Sequence, residues 1–290
     1  MDGFFFVNKP AGPSSFAIIH KLKPFVGRQR IGHAGTLDPA ASGLLVVAVG
    51  KATRLLEYLP AQPKAYTFVV RFGTETDTLD SEGTVVESGG RVPNRQEMEA
   101  ILPRFVGTIR QEPPRFSAIK IGGERAYARA RNNESFSMTP REVTIASLTL
   151  ESFDAVNGCA AFATHCSTGT YIRSIARDIA RGLGTFGFAS DIRRTAIGPF
   201  SLEGAQSVED IAAAIDSFLV PIREVFKSCA CVTISEYQKK NLSFGADIRL
   251  DGKSAPAGDA PLFAFDEKNA IAAVLVKKEN GLFHPVKAFV

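Results

Sequence analysis

The segment GHAGTLDPAASG at residues 32–43 leads directly into LLVVAV at residues 44–49, and this junction is the most informative stretch for predicting the fold and a candidate site. The unbroken apolar run predicts a buried strand. Three glycines in the preceding loop let a bulky ligand approach the backbone closely. Pro39 restricts Asp38 to extended geometry, so the carboxylate projects from a turn. A carboxylate in such a loop can act as nucleophile or general base, and a turn aspartate that bonds its own backbone is the plainer alternative.

The composition is that of a globular protein with about two domains. The chain has 290 residues, of which 45% are hydrophobic and 22% charged, and a domain contains about 150 residues on average. A net charge of +4 excludes a histone-like polycation. The longest apolar runs, Leu44–Val49 and Ile271–Val276, are far shorter than the roughly twenty residues of a membrane span. Because the start MDGFFFVNKP has no basic region typical of a signal peptide, we expect a cytoplasmic protein.

Neither the cysteines nor the glycines indicate a cofactor. The four cysteines include no Cys-x-x-Cys pair, and we expect them to be buried free thiols. His165 and Cys166 are neighbours on a predicted strand, so their side chains point to opposite faces and do not favour a shared zinc site. The chain has no Walker loop and no dinucleotide fingerprint. We therefore expect no metal and no organic cofactor.

Helical and strand-like segments follow one another irregularly, which favours an α+β architecture over a regular βαβ one. Helices are predicted at about 14–26, 51–59, 95–105, 170–183 and 208–215, and strands at 44–49, 64–72, 141–150, 159–166 and 189–197. After about Lys227 the chain changes to short strand-like pieces, which predicts a small β-rich appendage. The pieces are Cys231–Ile234, Ala246–Leu250, Leu262–Phe265, Ala270–Val276 and Phe283–Val290, with turn clusters at 251–253 and 257–259.

A second candidate site lies at a predicted helix start. Thr170 is expected to cap this helix, which places Tyr171 and Arg173 in its first turn. A basic stripe continues at spacings of four with Arg177 and Arg181. A cation in the first turn opposes the helix dipole, so Arg173 indicates a specific anionic partner. A solvated, partly paired helix face is the alternative.

A third candidate is the basic segment at residues 115–131. Five cations against one carboxylate give it a charge of +4, equal to the net charge of the whole chain. The cations are Arg115, Lys120, Arg125, Arg129 and Arg131, and Phe116 and Tyr127 lie among them. Basic groups neutralise phosphates and aromatic faces stack on unpaired bases, so the segment predicts an RNA-binding surface. An exposed helix with apolar anchors is equally open.

Together these segments resemble the TruB-type tRNA pseudouridine synthases, which isomerise the T-loop uridine at tRNA position 55. The matching pieces are NKPAGPSS (8–15), GHAGTLDP (32–39), KAY (64–66), TDTLD (76–80), residues 114–131, GTYIR (169–173) and DIRR (191–194). Their order and spacing hold over about the first 205 residues. The resemblance implies a pseudouridine-synthase-like fold, with a mixed, mainly antiparallel sheet and flanking helices. It also implies a catalytic domain at 1–227 with a thumb-like insertion at about 113–133, and a small PUA-like RNA-binding domain at 228–290.

The resemblance also implies roles for single residues. Asp38 matches the nucleophile, Tyr171 the proposed general base, and Arg173 the arginine that pairs with the aspartate. The implied substrate-binding residues are His33, Tyr66, Ile192, Lys9, Arg125, Arg129, Arg193 and Arg194. Among these, Tyr66 is expected on the exposed face of its strand, stacked on the target base, and Lys9 packs under the catalytic loop. Ile192 stands where the family usually has leucine and keeps the apolar contact.

The implied activity is isomerisation of uridine 55 on a flipped-out nucleotide, with the T arm of tRNA as partner and a monomer as the active form. An ionised Asp38 would attack the sugar, and Arg173 would favour that charge. An RNA-binding module or tRNA folding chaperone without chemistry remains an alternative. A hydrolase that pairs Asp38 with Asp77 or Asp80 is another, although the TDTLD stretch is more typical of a turn that supports the pocket.

Overall fold

The computed structural model describes residues 1–132, 134–250 and 260–289. The strands are β1 (Gly3–Lys9), β2 (Ile31–Ala34), β3 (Ser42–Val49), β4 (Lys64–Phe72), β5 (Thr74–Thr76), β6 (Val85–Ser88), β7 (Gly107–Gln111), β8 (Lys120–Ile121), β9 (Glu124–Arg125), β10 (Arg141–Asp154), β11 (Cys159–Cys166), β12 (Gly187–Ile197), β13 (Phe200–Ser201), β14 (Val220–Pro221), β15 (Cys231–Thr233), β16 (Leu262–Phe265), β17 (Ile271–Lys277) and β18 (Phe283–Ala288). The helices are α1 (Ser15–Leu22), α2 (Arg95–Ile101), α3 (Ala126–Arg131), α4 (Ile172–Gly182), α5 (Val208–Ala213), α6 (Ile215–Phe218), α7 (Ile222–Val225) and α8 (Glu236–Ser243), with 3₁₀ turns at Lys23–Val26, Gly50–Tyr58, Leu102–Phe105 and Leu202–Gly204. The predicted helix at 51–59 is therefore a 3₁₀ helix. No helix of the described ranges is long and apolar enough to cross a membrane.

A large central sheet organises the first part of the chain, and it confirms the predicted α+β class. Its strand order is β14-β1-β3-β12-β4-β11-β10-β7, with β13 beside β12 and β2 beside β3. All pairings are antiparallel except that of β3 with β12. At this parallel contact Gly43 has φ 103°, and a Cβ there would collide with the carbonyl of Arg194, so the close approach requires glycine.

A row of paired residues crosses four neighbouring strands of the large sheet, and it identifies the face of the sheet that α1 and α4 cover. Lys9 pairs with Gly43, Gly43 with Arg194, and Arg194 with Tyr66. Because side chains alternate along a strand, the row shares its face with Val7, Leu45 and Val47 on one side and with Phe68 and Val70 on the other. The first group packs against α1 and the second against α4. The two helices therefore lie on the same face, with the row between them.

Strand β12 is irregular where it passes the row. The register with β4 shifts between Ser190 and Arg193 and again between Arg194 and Ala196. Asp191 occupies the first bulge with φ 51°, a left-handed conformation that aspartate tolerates better than most residues. The bulge leaves Asp191 exposed and turns the next residue, Ile192, into the interior.

The C-terminal part is a separate small sheet of order β15-β16-β17-β18, which confirms the β-rich appendage. The sequence did not predict α8, which begins with a capping box between Ser235 and Gln238. The predicted strand at Ala246–Leu250 is wrong, because only Ile248 forms a bridge, to Phe283. The predicted turn clusters at 251–253 and 257–259, residue 133 of the thumb and Val290 lie outside the described residues.

One apolar core joins this small sheet to the large one. Phe226, Phe263 and Phe265 pack in the same cluster as Phe4 and Val46. The rings of Phe226 and Phe263 are 4.4 Å apart. The two sheets therefore share buried apolar surface, which is the main favourable contribution to folding.

Candidate active site

A cavity of about 220 Å³ opens on the face of the sheet that α1 and α4 cover. The catalytic loop between β2 and β3, the start of α4, the bulge of β12 and the base of the thumb contribute to its walls. The lining includes Asp38, Lys64, Tyr66, Ser117, Tyr171, Arg173 and Ile192. Five residues predicted for the active site thus come together, from segments far apart in the chain.

Arg173 is the centre of the charge arrangement. Its Nη2 lies 2.8 Å from Oδ2 of Asp38, and its Nη1 lies 3.3 Å from Oδ2 of Asp80. The same two nitrogens donate to the carbonyls of Thr78 at 2.7 Å and Phe116 at 3.0 Å. Its side chain is 5% exposed and that of Asp38 is 44% exposed. Arg173 is therefore fixed from several sides, and it orients a carboxylate that still faces the opening.

Asp80 supports this arrangement from below. It is buried, its Oδ1 accepts a hydrogen bond of 2.6 Å from Thr78, and it also accepts the backbone N–H of Glu82. Asp77 instead bonds the backbone of Thr84 in an exposed turn. The expectation that this stretch forms a turn supporting the pocket agrees with the geometry.

The catalytic loop is anchored from beneath by Lys9 and Ser15. The buried ammonium of Lys9 donates to the carbonyls of Pro10, Pro13 and Pro39 at 2.9, 2.7 and 3.2 Å. Burial lowers the pKa of Lys9 to about 8, although the charge of Asp38 acts in the opposite direction. Ser15 accepts the N–H of Leu37 and donates to its carbonyl. Lys9 therefore packs under the loop, as the resemblance implied, and does not line the cavity.

Arg194 is a buried cation beneath the loop. It is fully buried and donates to the carbonyls of Leu44 and Gly35, each at 2.8 Å. The structure gives it a supporting position, so the direct substrate contact implied for Arg194, like that for Lys9, is revised to positioning. Arg193, the neighbour in sequence, is exposed and lines a separate depression beside Ile192.

His33 and Lys64 lie near Arg194, and both have a lowered pKa. Burial is the main cause in each case, and the charge of Arg194 adds to it. His33 is therefore a neutral imidazole near pH 7, and within the described part of the chain its Nδ1 has no hydrogen-bond partner. Lys64 lines the cavity. Lys64 was not among the residues predicted for the site, although it lies two positions before Tyr66 and thus on the same face of β4.

Tyr66 and Ile192 form the apolar part of the cavity. Tyr66 is 9% exposed and belongs to the same core cluster as Phe68 and Ile192. The expectation that Tyr66 lies on the exposed face of its strand is wrong, because that face carries Thr67 and Arg71. Burial raises the pKa of the Tyr66 phenol, against the opposing charge of Arg194. The ring is therefore neutral and held in place at the cavity wall.

Tyr171 is held through its backbone. Helix α4 begins at Ile172, so Tyr171, and not Thr170, occupies the N-cap position. The side-chain amide of the buried Gln111 accepts the N–H of Tyr171 at 2.8 Å and donates to its carbonyl at 3.1 Å. Burial raises the pKa of the Tyr171 phenol. Nothing in the sequence pointed to Gln111.

The arginines of the thumb differ in their surroundings, because some are exposed and others contact neighbouring side chains. It consists of the β8–β9 hairpin, which turns at Gly122 and Gly123, followed by α3. Arg129 pairs with Glu134 at 2.7 Å and stacks with Arg115 on the ring of Phe136. Arg125 is exposed. Of the two thumb arginines predicted to bind substrate, one points outward and the other is engaged within the thumb.

Across residues 1–132, 134–250 and 260–289, no group of three or more His, Cys, Asp or Glu side chains could hold an ion. His165 and Cys166 lie on opposite faces of β11, one exposed and one buried, as predicted.

Comparisons with known proteins identify the family. The family model described as TruB family pseudouridylate synthase (N terminal domain) matches residues 23–172. Curated proteins named tRNA pseudouridine synthase B from Chelativorans sp. (strain BNC1) and from Rhizobium etli are each 38% identical to the chain, over 100% of it and 96% of the relative. The chain belongs to the TruB family. The resemblance noted in the sequence is thereby confirmed.

Solved structures show the same fold as this TruB-family chain. A chain in the crystal structure of a Cbf5-Nop10-Gar1 complex aligns with a TM-score of 0.74 at 22% identity, over 99% of this chain and 85% of that chain. A chain in an H/ACA RNP bound to a substrate RNA containing 2′-deoxyuridine aligns with a TM-score of 0.72 at 21% identity, over 99% of this chain and 84% of that chain. The pseudouridine-synthase-like fold is therefore confirmed.

Proposed function

We propose that this protein isomerises uridine 55 in the T loop of tRNA to pseudouridine, with Asp38 as the nucleophile. The observation that carries the proposal is the half-exposed carboxylate of Asp38, paired with Arg173 at the mouth of a cavity lined by Tyr66 and Ile192. Relatives 38% identical over the whole chain are named tRNA pseudouridine synthase B. A protein that only binds RNA has no need of a carboxylate that repels phosphates.

In the proposed reaction the target nucleotide leaves the folded T loop and enters the cavity. Extrusion costs a few kcal/mol, and contact with Tyr66 together with phosphate contacts offsets it. Asp38 attacks the sugar C1′, the C1′–N1 bond breaks, and its electron pair leaves with the base. The base rotates and C1′ bonds to C5 while Asp38 departs. N1 gains a proton and C5 loses one, so the net change is an isomerisation.

Tyr171 is placed to assist the loss of the C5 proton. Because burial raises the pKa of its phenol, the hydroxyl is protonated near pH 7. It can accept the C5 proton only as its own proton passes to solvent at the opening of the cavity. Arg173 holds the carboxylate of Asp38 in a fixed orientation through their ion pair of 2.8 Å.

The proposal extends to the oligomeric state, the domains, the RNA partner and the cellular compartment. Residues of a single chain line it, so we propose that a monomer is the active form. The catalytic domain spans residues 1–227, and the β-rich module at 228–290 is a PUA-like RNA-binding domain. The T arm of tRNA is the partner, and the cytoplasm, where bacterial tRNA is modified, is the compartment.

The test is release of tritium from T-arm RNA labelled at uridine C5. We expect release by the unmodified protein and by Asp216→Asn, an exposed control carboxylate, and retained RNA binding without release by Asp38→Asn. RNA binding without release by the unmodified protein would refute the enzyme. Turnover by Asp38→Asn would remove Asp38 from the nucleophile role, and free uracil as product would indicate hydrolysis.

A further inference from the structure

Another depression, separate from the catalytic cavity and from the depression lined by Arg193, lies on the same face of the sheet. It runs between α1 and β2, has a volume of about 460 Å³, and is called here the α1–β2 groove. Phe16, His20 and Lys23 contribute to one wall, and Arg30 and Ile31 to the other. None of these residues takes part in the arrangement around Asp38.

Both walls of the α1–β2 groove end at the catalytic loop. Helix α1 begins at Ser15, which is hydrogen-bonded to Leu37, the neighbour of Asp38. Strand β2 continues from Ile31 through His33 into the loop itself. Ile31 pairs with Val49, six residues along β3 from Gly43 in the row, which is about 20 Å. A polynucleotide with its target nucleotide in the cavity therefore reaches this wall of the groove with a nucleotide several positions away.

The groove presents a rigid aromatic platform. Phe16 is 63% exposed, so most of its ring is accessible to a ligand. The centres of the Phe16 and His20 rings are 4.5 Å apart and the rings are nearly perpendicular, an arrangement that aromatic pairs favour. The pair lies one helical turn apart, so the platform is held by α1 and needs no rearrangement to receive a flat ring.

The charges around the platform favour a nucleotide over an apolar protein segment. Lys23 and Arg30 are exposed at the groove, and its lining within the described residues includes no carboxylate. An aromatic face between cations is the combination that binds unpaired nucleotides, because the ring stacks on the base while the cations neutralise the adjoining phosphates.

We propose that the α1–β2 groove is a second nucleotide subsite, in which Phe16 stacks on an unpaired base of the RNA whose target uridine occupies the catalytic cavity. Lys23 and Arg30 bind the phosphates next to that base. This proposal rests on the proposed function, because the subsite binds the same RNA as the catalytic cavity. It adds a contact made by a nucleotide other than the target uridine.

The chain offers a direct optical test because it has no tryptophan. Phe16→Trp in the Asp38→Asn background introduces a single indole, and we expect T-arm RNA to quench its fluorescence. Val156→Trp in the same background is the control, since Val156 is 95% exposed at the turn between β10 and β11, and we expect no quenching there. Replacing one nucleotide several positions from the target by an abasic one should abolish the Phe16→Trp quenching and identify the stacked base.

Affinity provides a second measurement. We expect Phe16→Ala to weaken RNA binding by about five- to a hundredfold, the loss usual for one stacked base, with kcat at saturating RNA unchanged. Phe16→Tyr should restore affinity because it keeps the ring. Lys23→Gln and Arg30→Gln should each lower the salt dependence of binding by about 0.7 of a logarithmic slope unit, as expected for one single-strand phosphate contact.

Three results would overturn the subsite. They are unchanged Phe16→Trp fluorescence while the RNA binds, unchanged affinity of Phe16→Ala, and self-association of the chain in sedimentation that Phe16→Ala abolishes. The last would assign the groove to a second copy. If the unmodified protein releases tritium in any of these cases, the subsite fails and the isomerase stands. Quenching without tritium release by the unmodified protein would support the subsite and refute the isomerase.

Discussion

Gln111 is the residue whose contribution is easiest to isolate. Its amide both donates to and accepts from the backbone of Tyr171, so it positions the phenol without lining the cavity. In Gln111→Glu an ionised carboxylate lacks the donor, whereas a protonated carboxyl restores one donor and one acceptor. Because burial raises the pKa of a carboxyl, we expect the activity of Gln111→Glu relative to the unmodified protein to rise as the pH falls.

The measurement is the pH dependence of kcat in the tritium assay. At alkaline pH we expect a loss of about five- to a hundredfold, the cost of an unsatisfied buried polar group, with RNA affinity unchanged. Gln96→Glu, on the exposed surface of α2, is the matched control. An activity ratio that stays flat with pH would show that Gln111 has only a general structural role.

Among single residues, the sequence indicated Asp38 and Arg173, which the structure brings together, and Lys9, which packs under the loop, but it gave no sign of Gln111. Asp38 stood out because the following proline restricts it to extended geometry. Arg173 stood out because a cation in the first turn of a helix opposes the helix dipole. The full burial of Arg194 could not be foreseen, since charged side chains are rarely buried completely. Its burial depends on two carbonyls from distant segments. Gln111 likewise meets Tyr171 only through tertiary folding.

At the scale of elements, the thumb has one arginine that is exposed and one that is held by neighbouring side chains. Arg125 is exposed, whereas Arg129 is held by Glu134 and Phe136. We expect Arg125→Gln to weaken RNA binding and to lower its logarithmic salt slope by about 0.7 to 1. Arg129→Gln should weaken binding by loosening the thumb while leaving the slope close to that of the unmodified protein. Titrations over a range of salt concentrations distinguish the two, and equal slopes for both variants would contradict the division.

Strands with a clear alternation or a long apolar run were predictable, and short polar elements were not. The boundaries of β4 and β11 agree with the sequence prediction because their side chains alternate between a buried and a more exposed face. Helix α8 has a single buried residue, Leu242, so its sequence carries no apolar periodicity. The bulge at Asp191 left no sequence signal either, although it is what turns Ile192 into the cavity.

For the whole molecule, the core shared by the two sheets predicts cooperative unfolding. Phe263 belongs to the C-terminal sheet yet packs against Phe226 and Tyr58 of the first 227 residues. We expect Phe263→Ala to lower the free energy of unfolding by about 3–5 kcal/mol, in a single urea transition seen alike by circular dichroism and by activity. Phe244→Ala, at a side chain 77% exposed, should change it by less than about 0.5 kcal/mol. Two separate transitions would mean that the modules unfold independently.

The position of Arg173 also has a consequence for the order in which the protein is made. The groups that it holds, Asp38, Thr78, Asp80 and Phe116, all leave the ribosome before it does. Strand β12, which completes the sheet beside the catalytic loop, is made later still. Chains fold from the N-terminus as they emerge, so a growing chain exposes its carboxylate before anything can orient it. We therefore expect fragments that end before β12 to release no tritium, because the carboxylate of Asp38 is then present without a completed sheet beside its loop.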